Sequence, residues 1–470
     1  MDKVVLRSKR DVITFVNDHP TGSSRGKIIA LIALGSIFID AYDFTSLAIG
    51  LDSMKAELNP TPFQVGTTTS AMAVGALLGA IFGGYLVDKL GRYKLLILDL
   101  VLFVVAAIGA ALSPSIEVLI IWRFLLGVGV GLDMPAALSL VAEFTRNRDK
   151  GKFVNLWQPM WYAATITSAA LVLPLVFLGM EEHMWRWAVG FGAVPALIIL
   201  ALRFLFADES PMWAAHNLGM SEAVKILRKN FPATEFVIEQ GEVESEADTR
   251  ISRIFERGYL VRSIVVAVVS GFQAVQYFAV GFYLPVIVGL IFGQDVVSIV
   301  IGTILLNVFG LVGGGIQPFL THRFGGRVLT LIGSAICVLA LIAVGLVEVE
   351  SAPYLAALLV GAFIFGHSFG PGSQGKTMAT LSYPTDLRGT GTGWAEACSR
   401  VGSIVGFYVF PLVVAAVGLS QTMIFLAAVP LIIFVTVLVA RWDPKDVDIE
   451  AGSTGPAAGA VSSASASQQP

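Results

Sequence analysis

Two aspartates sit inside the first long apolar run of this 470-residue chain, in Phe38-Ile39-Asp40-Ala41-Tyr42-Asp43. A spacing of three puts both carboxylates on one helix face. An ionisable group held in hydrocarbon costs at least about 2.5 kcal/mol on insertion scales, so each one calls for a partner or a water path. Asp43 stands seven residues from the far end of its run, and Arg123 stands six from the same end of the fourth run. At the helical rise these are depths of about 10 and about 9 Å, so the two meet if their helices are neighbours. A carboxyl group set against a guanidinium that can move exchanges protons as the contact changes. That is the chemistry of proton coupling. Asp133 lies ten residues beyond Arg123 and joins Asp40, Asp43 and Arg123 as a candidate for it. The competing reading is a static ion pair that fixes helix packing.

The second half carries different charges. Lys376 falls in the tenth apolar run, and Glu396 and Arg400 lie one turn apart in the eleventh. An inward-facing Arg400 or Lys376 neutralises an anionic substrate. The alternatives are an internal Glu396–Arg400 bridge and a Lys376 that reaches back to the membrane surface. Gln158 and Trp161, Gln273, Gln276 and Tyr277, Asn307, and Trp394 supply polar and aromatic groups suited to a substrate pocket. Buried Gln and Asn also serve simply to tie helices together.

These residues are positioned by membrane helices. The chain is 55% hydrophobic and 14% charged, with a mean hydropathy of +0.77. Its apolar blocks are too long for soluble helices and predict twelve spans: 28–50, 66–87, 95–112, 117–142, 153–178, 187–206, 261–291, 298–320, 328–347, 354–382, 390–416 and 420–440. The first is longer than a typical signal core and reads as a retained helix. Helices satisfy their own backbone in lipid, which open sheets cannot. The predicted fold is an all-α membrane protein with two six-helix bundles. An N-terminal segment 1–27 precedes the bundle 28–206, a central loop 207–260 with interfacial helices precedes the bundle 261–440, and a disordered tail occupies 441–470. Lys and Arg crowd the N-terminal segment and alternate loops, whereas only Lys55 and Arg186 fall in the others. That bias predicts cytoplasmic termini in a plasma-membrane protein.

A net charge of −3 without a broad basic surface excludes nucleic acid as a partner. The two cysteines, Cys337 and Cys398, lie in apolar runs and offer neither a disulfide framework nor a metal site. The five histidines, His19, His183, His216, His322 and His367, are scattered with no ligand spacing and no nucleophile arrangement. No enzyme, metal or cofactor is expected.

Gly84-Tyr-Leu-Val-Asp88-Lys89-Leu-Gly91-Arg92-Tyr-Lys94, after the second run, resembles the signature loop of the major facilitator superfamily. The resemblance implies a cytoplasmic gate built on Asp88, Gly91 and Arg92. The matching loop after the eighth run, His322-Arg323-Phe-Gly325-Gly326-Arg327, lacks the aspartate. Arg123-Phe-Leu-Leu-Gly127-Val-Gly129-Val-Gly131 and Glu209-Ser210-Pro211-Met212-Trp213 are similar to sugar-porter boxes. In proton-coupled sugar porters that arginine partners a first-helix aspartate, here Asp43. Asp40-Ala-Tyr-Asp43, Gly131-Leu-Asp133-Met-Pro135, Phe369-Gly-Pro371 and Tyr383-Pro-Thr385-Asp-Leu-Arg388-Gly389 resemble the phosphate:proton symporters instead. Arg400 falls where that family has a substrate-facing lysine, but Gln276 and Phe272 replace its seventh-helix aspartate and tryptophan.

The resemblance implies a monomeric proton-coupled symporter that imports a small polar metabolite, foremost an organic acid, by alternating access. A sugar or polyol comes next, then phosphate. Proton-driven drug export uses the same fold, and a non-transporting nutrient sensor is the alternative of another class.

Overall fold

The computed structural model describes residues 2–19, 24–145, 147–180, 182–239, 250–293, 295–349 and 351–446. The Glu-rich stretch from 240 and the tail from 447 lie outside them.

Each long helix begins and ends where local chemistry dictates. The first span is Ser24–Ile49. The second, Pro62–Leu90, opens on a capping box between Thr61 and Gln64 with a proline in its first turn. It stops at Gly91, whose φ of 106° excludes a side chain, and the third, Arg92–Ala111, starts at once. The fourth is Ile116–Phe144 and the fifth Trp157–Phe177. The sixth is broken at Gly192 into Met184–Phe191 and Ala193–Phe206. The seventh likewise comprises Leu260–Val280 and Leu284–Phe292. A single helical run, Val296–Leu346, turns at Gly325 (φ 80°) and so supplies the eighth and ninth spans. Pro353–Phe369 and Pro371–Ser382 form the tenth, broken where Pro371 bars the helical region to Gly370. Arg388–Leu426 turns at Gly418 and, with Ala428–Ala440, makes the eleventh and twelfth. The twelve-span architecture expected from hydropathy is present.

Within the first half, spans two and four cross with backbones in contact. A Cβ on Gly127 would lie 2.1 Å from the Met72 carbonyl. The glycine stripe of span four therefore serves close packing. Across the halves, span two packs on span eleven and span five on span eight.

The start of span one and the end of span twelve fall on one face, called the terminal face below. There the chain builds something hydropathy did not announce. Strand Asp2–Leu6 pairs in parallel with Thr234–Ile238 of the central loop, with Val4 opposite Phe236. Helices Lys9–Asp18, Pro211–Asn217 and Met220–Asn230 cover this ribbon. Phe15 packs edge-on against Phe231 and Phe236, each ring 5.0 Å away. The N-terminal segment and the central loop thus share one small apolar core.

Candidate functional site

Lys376, Glu396 and Arg400 converge between the halves. The Lys376 ammonium stands 2.7 Å from Glu396, and Arg400 pairs with the same carboxylate from one turn away. All three are buried. Lys376 also lies over Trp157, 4.8 Å from the ring centre, and Arg400 lies over Phe44 at the same distance. These aromatic faces soften the cost of holding cations away from water. Lys376 therefore points inward, and the expected alternative in which it reaches the membrane surface does not hold. The internal Glu396–Arg400 bridge does form, yet two cations share one carboxylate. Asp40, in span one, lies within electrostatic reach of all three.

Gln158, Trp161, Gln273 and Tyr277 line the same space together with Trp157, His367 and Ser399. Trp161 donates to the Tyr277 hydroxyl at 2.6 Å, which ties span five to span seven. His367 sets its Nε2 3.1 Å from the Gln273 amide oxygen and stacks on Tyr277. The remaining cavity is about 20 Å³, room for one water and not for a metabolite. Trp157 donates to the Ser373 carbonyl at 3.2 Å on one side of it, and Phe44 meets Phe278 with ring centres 5.7 Å apart on another. Binding a metabolite requires the halves to separate.

Three expected pocket residues lie elsewhere. Trp394 donates to the Ser263 carbonyl at 3.0 Å and lines a greasy crevice between spans two, seven, eleven and twelve. It stands two residues before Glu396, about 200° around the helix, so the two cannot share a face. Asn307 accepts from Thr165 at 3.3 Å and ties spans five and eight, outside the cavity lining. Gln276 is buried away from that lining as well.

Asp43 and Arg123 are neighbours, as their depths required, but the bond is not the expected one. Arg123 donates to the main-chain carbonyl of Asp43 at 3.1 Å. The Asp43 carboxylate has no hydrogen-bond partner among the described residues, and a Cβ on Gly192 would sit 2.6 Å from one of its oxygens. Asp133 pairs with Arg203 of span six at 3.1 Å and accepts from Ser36 at 2.6 Å. Arg203 also meets Asp99 of span three at 3.2 Å.

At the terminal face, Asp88 accepts from the Gly389 and Thr390 amides at 3.0 and 2.7 Å. A carboxylate of one half thereby caps the first turn of span eleven in the other. Arg92 bridges Asp88 and Glu143 at 3.1 and 2.9 Å and donates to the Thr385 carbonyl at 2.8 Å, and Arg388 joins Glu143 at 2.9 Å. Glu209 accepts from the Arg92 and Tyr93 amides at 3.0 and 3.2 Å and so caps span three. It stands where a side chain on Gly91 would fall. The second half repeats the device: Asp443, after span twelve, accepts from the Arg327 amide at 2.9 Å beside Gly325.

The family model described as "Sugar (and other) transporter" matches residues 29–446. The chain belongs to that family. It is therefore a multi-pass membrane transporter of the major facilitator superfamily and not an enzyme. The putative metabolite transport protein YaaU of Escherichia coli (strain K12) is 29% identical over 87% of this chain and 90% of its own length. The cis,cis-muconate transport protein of Acinetobacter baylyi is 24% identical, covering 82% of this chain and 86% of itself. The proton:xylose symporter XylE, solved with 6-bromo-6-deoxy-D-glucose bound, superposes with a TM-score of 0.78 at 18% identity, over 91% of this chain and 98% of its own.

Several residues of this transporter's site escaped the sequence reading. Asp99 interrupts the apolar run 95–112, and Arg203 lies inside the sixth span. Both carried the same signal that marked Asp40. Glu143 and Arg388 sit at helix ends, where charge is ordinary. His367 stood out only as a histidine in an apolar run.

Proposed function

We propose that this transporter moves a small organic acid inward together with protons, from a plasma membrane in which both termini face the cytoplasm, and that it acts as a monomer. The observation that carries this reading is the pair of cations, Lys376 and Arg400, on the single carboxylate Glu396, with Asp40 alongside. With Asp40 ionised the four charges cancel. With Asp40 protonated one positive charge is left over, and a substrate carboxylate answers it. Proton and carboxylate then favour each other's binding, because an uncompensated buried charge is the costly state. Either both ligands cross or neither does, which is symport. The name of the muconate transport protein supports an acid cargo, and that of the xylose symporter supports proton coupling.

A sugar or polyol is the second reading, favoured by the neutral donors Gln158, Gln273 and Trp161 around the cavity. Charged walls disfavour greasy drug cations. Screening the purified protein for thermal stabilisation by carboxylates, sugars and phosphate separates these readings. The lead reading expects carboxylates to stabilise most, and a response to sugars alone overturns it.

A further inference from the structure

The greasy crevice beside Trp394 holds about 970 Å³, against about 20 Å³ at the substrate cavity. Leu77, Ile81 and Tyr85 of span two form one wall, and spans seven, eleven and twelve form the rest, so both halves contribute to it. The few polar groups in its lining are directed into the protein. The Thr390 hydroxyl donates to Asp88 at 2.9 Å, the Trp394 N–H to the Ser263 carbonyl at 3.0 Å and the Thr422 hydroxyl to the Gly418 carbonyl at 2.6 Å. A polar metabolite entering here would lose its water without gaining hydrogen bonds. The fitting occupant is apolar along its length.

Shape narrows the choice further. On span eleven the lining runs from Thr390 to Val413, about 35 Å at the helical rise. The crevice volume spread over that length is a cross-section of about 28 Å². A helix, about 10 Å across, needs roughly 80 Å². An extended hydrocarbon chain, whose neighbours approach to about 4 Å, needs roughly 20 Å². The crevice is cut for an acyl chain.

Its two ends differ in charge. At the terminal face it is lined by Tyr85 and by Ile251, Ile254 and Phe255 of a 3₁₀ helix, Ile251–Phe255. Arg250, Arg253 and Arg257 flank those residues in the chain, and Lys89 lies 5.7 Å from the Tyr85 ring centre. Lys89 and Arg257 are exposed. The acids beside them are Glu256 and Asp386, and Asp386 already pairs with Arg253 at 2.8 Å. Around Gly418, at the other end, the chain from 401 to 440 holds no charged residue. A basic mouth between membrane helices at one surface is the setting in which anionic lipid headgroups are held.

We propose that this crevice binds an anionic phospholipid, with an acyl chain laid along span eleven and the phosphate held at the terminal face by Lys89 and Arg257. The chain lies against both halves, and the site is independent of the cargo and of the proton.

Native mass spectrometry of the full-length protein in detergent, titrated with dioleoyl phosphatidylglycerol and in parallel with dioleoyl phosphatidylcholine, tests it. Phosphatidylglycerol should be retained preferentially. Val401→Trp, at a half-exposed lining position, fills the crevice and should weaken both lipids about tenfold, with Val405→Trp as the second variant should the first fail to fold. Lys89→Gln combined with Arg257→Gln should weaken phosphatidylglycerol about tenfold or more and leave phosphatidylcholine as it was. Retention equal to the parent's in the tryptophan variants overturns the acyl-chain site, and unchanged preference for phosphatidylglycerol in the double variant overturns the headgroup site. Loss of a dimer in Val401→Trp at unchanged lipid retention would instead assign the crevice to a second copy of this chain. Phosphatidylglycerol should raise thermal stability where glycerol 3-phosphate does not; equal protection by both would mark a free-phosphate site and overturn the lipid.

Discussion

Arg123 grips Asp43 by its main-chain carbonyl, at 3.1 Å, and the carboxylate beside it has no hydrogen bond among the described residues. In the proposed coupling this side chain takes up the proton, while the arginine stays anchored to span one. Asp43→Asn keeps the carbonyl bond and removes only the titrating group. Gradient-driven accumulation in proteoliposomes should fall about tenfold or more, with exchange preserved. Accumulation at the native rate would remove Asp43 from the coupling mechanism.

Arg400 and Lys376 share Glu396, so once Asp40 is protonated one positive charge is left to answer the proposed acid cargo. Replacing Arg400 by Gln takes away a charge-assisted contact worth about 1.5–3 kcal/mol, roughly a ten- to hundredfold loss in carboxylate affinity. Neutral sugars should lose far less. Equal losses, read by competitive binding, would make Arg400 a structural residue.

The latch at Asp88 has a local reporter. The Gly389 and Thr390 amides donate to its carboxylate across the two halves. In Asp88→Ala these amides should exchange with deuterium about tenfold faster, since local opening then costs less. Unchanged protection at Gly389 and Thr390 would show that other contacts hold this face shut.

Opposite the termini, Glu57 lies on the short helix Leu51–Leu58 and fastens it to the start of span six. Burial pushes its carboxyl upward, but hydrogen bonds from Arg186, His183 and Trp185 outweigh that and hold it down at about 2. A lowered pKa means that this clamp stabilises fully above the ordinary carboxylate range and is lost as pH falls towards about 2. Acid of physiological strength should leave it closed. Glu57→Gln should lower thermal stability by about 2 kcal/mol near neutrality and flatten the acid limb of the profile. An acid limb identical to the parent's would assign that limb to other groups.

Phe15 joins the N-terminal helix to the central loop through Phe231 and Phe236. Phe15→Ala should cost that small core about 3 kcal/mol and expose strand Thr234–Ile238 to protease, while the membrane spans remain intact. Protease resistance equal to the parent's would mean that the strand pairing holds without it.

The class and span number were legible because the bilayer acts on local composition: a run of about 20 apolar residues must cross it as a helix. Depth counting alone brought Asp43 beside Arg123. Which atoms bond was not legible, because helix rotation decides that, and rotation follows from how neighbouring helices pack. The same rotation sent Trp394 outward and Lys376 inward. The strand Asp2–Leu6 was equally hidden, since its partner lies more than 200 residues away and a five-residue alternation carries little signal.

Sequence by itself thus determined that this chain spans a membrane twelve times, carries acids that hydrocarbon should exclude and holds a charged, glycine-bearing signature-like loop after its second span. Only the tertiary structure decided which cation answers which acid. A buried charge is energetically defined by its few nearest neighbours, and those come from helices far apart in the chain.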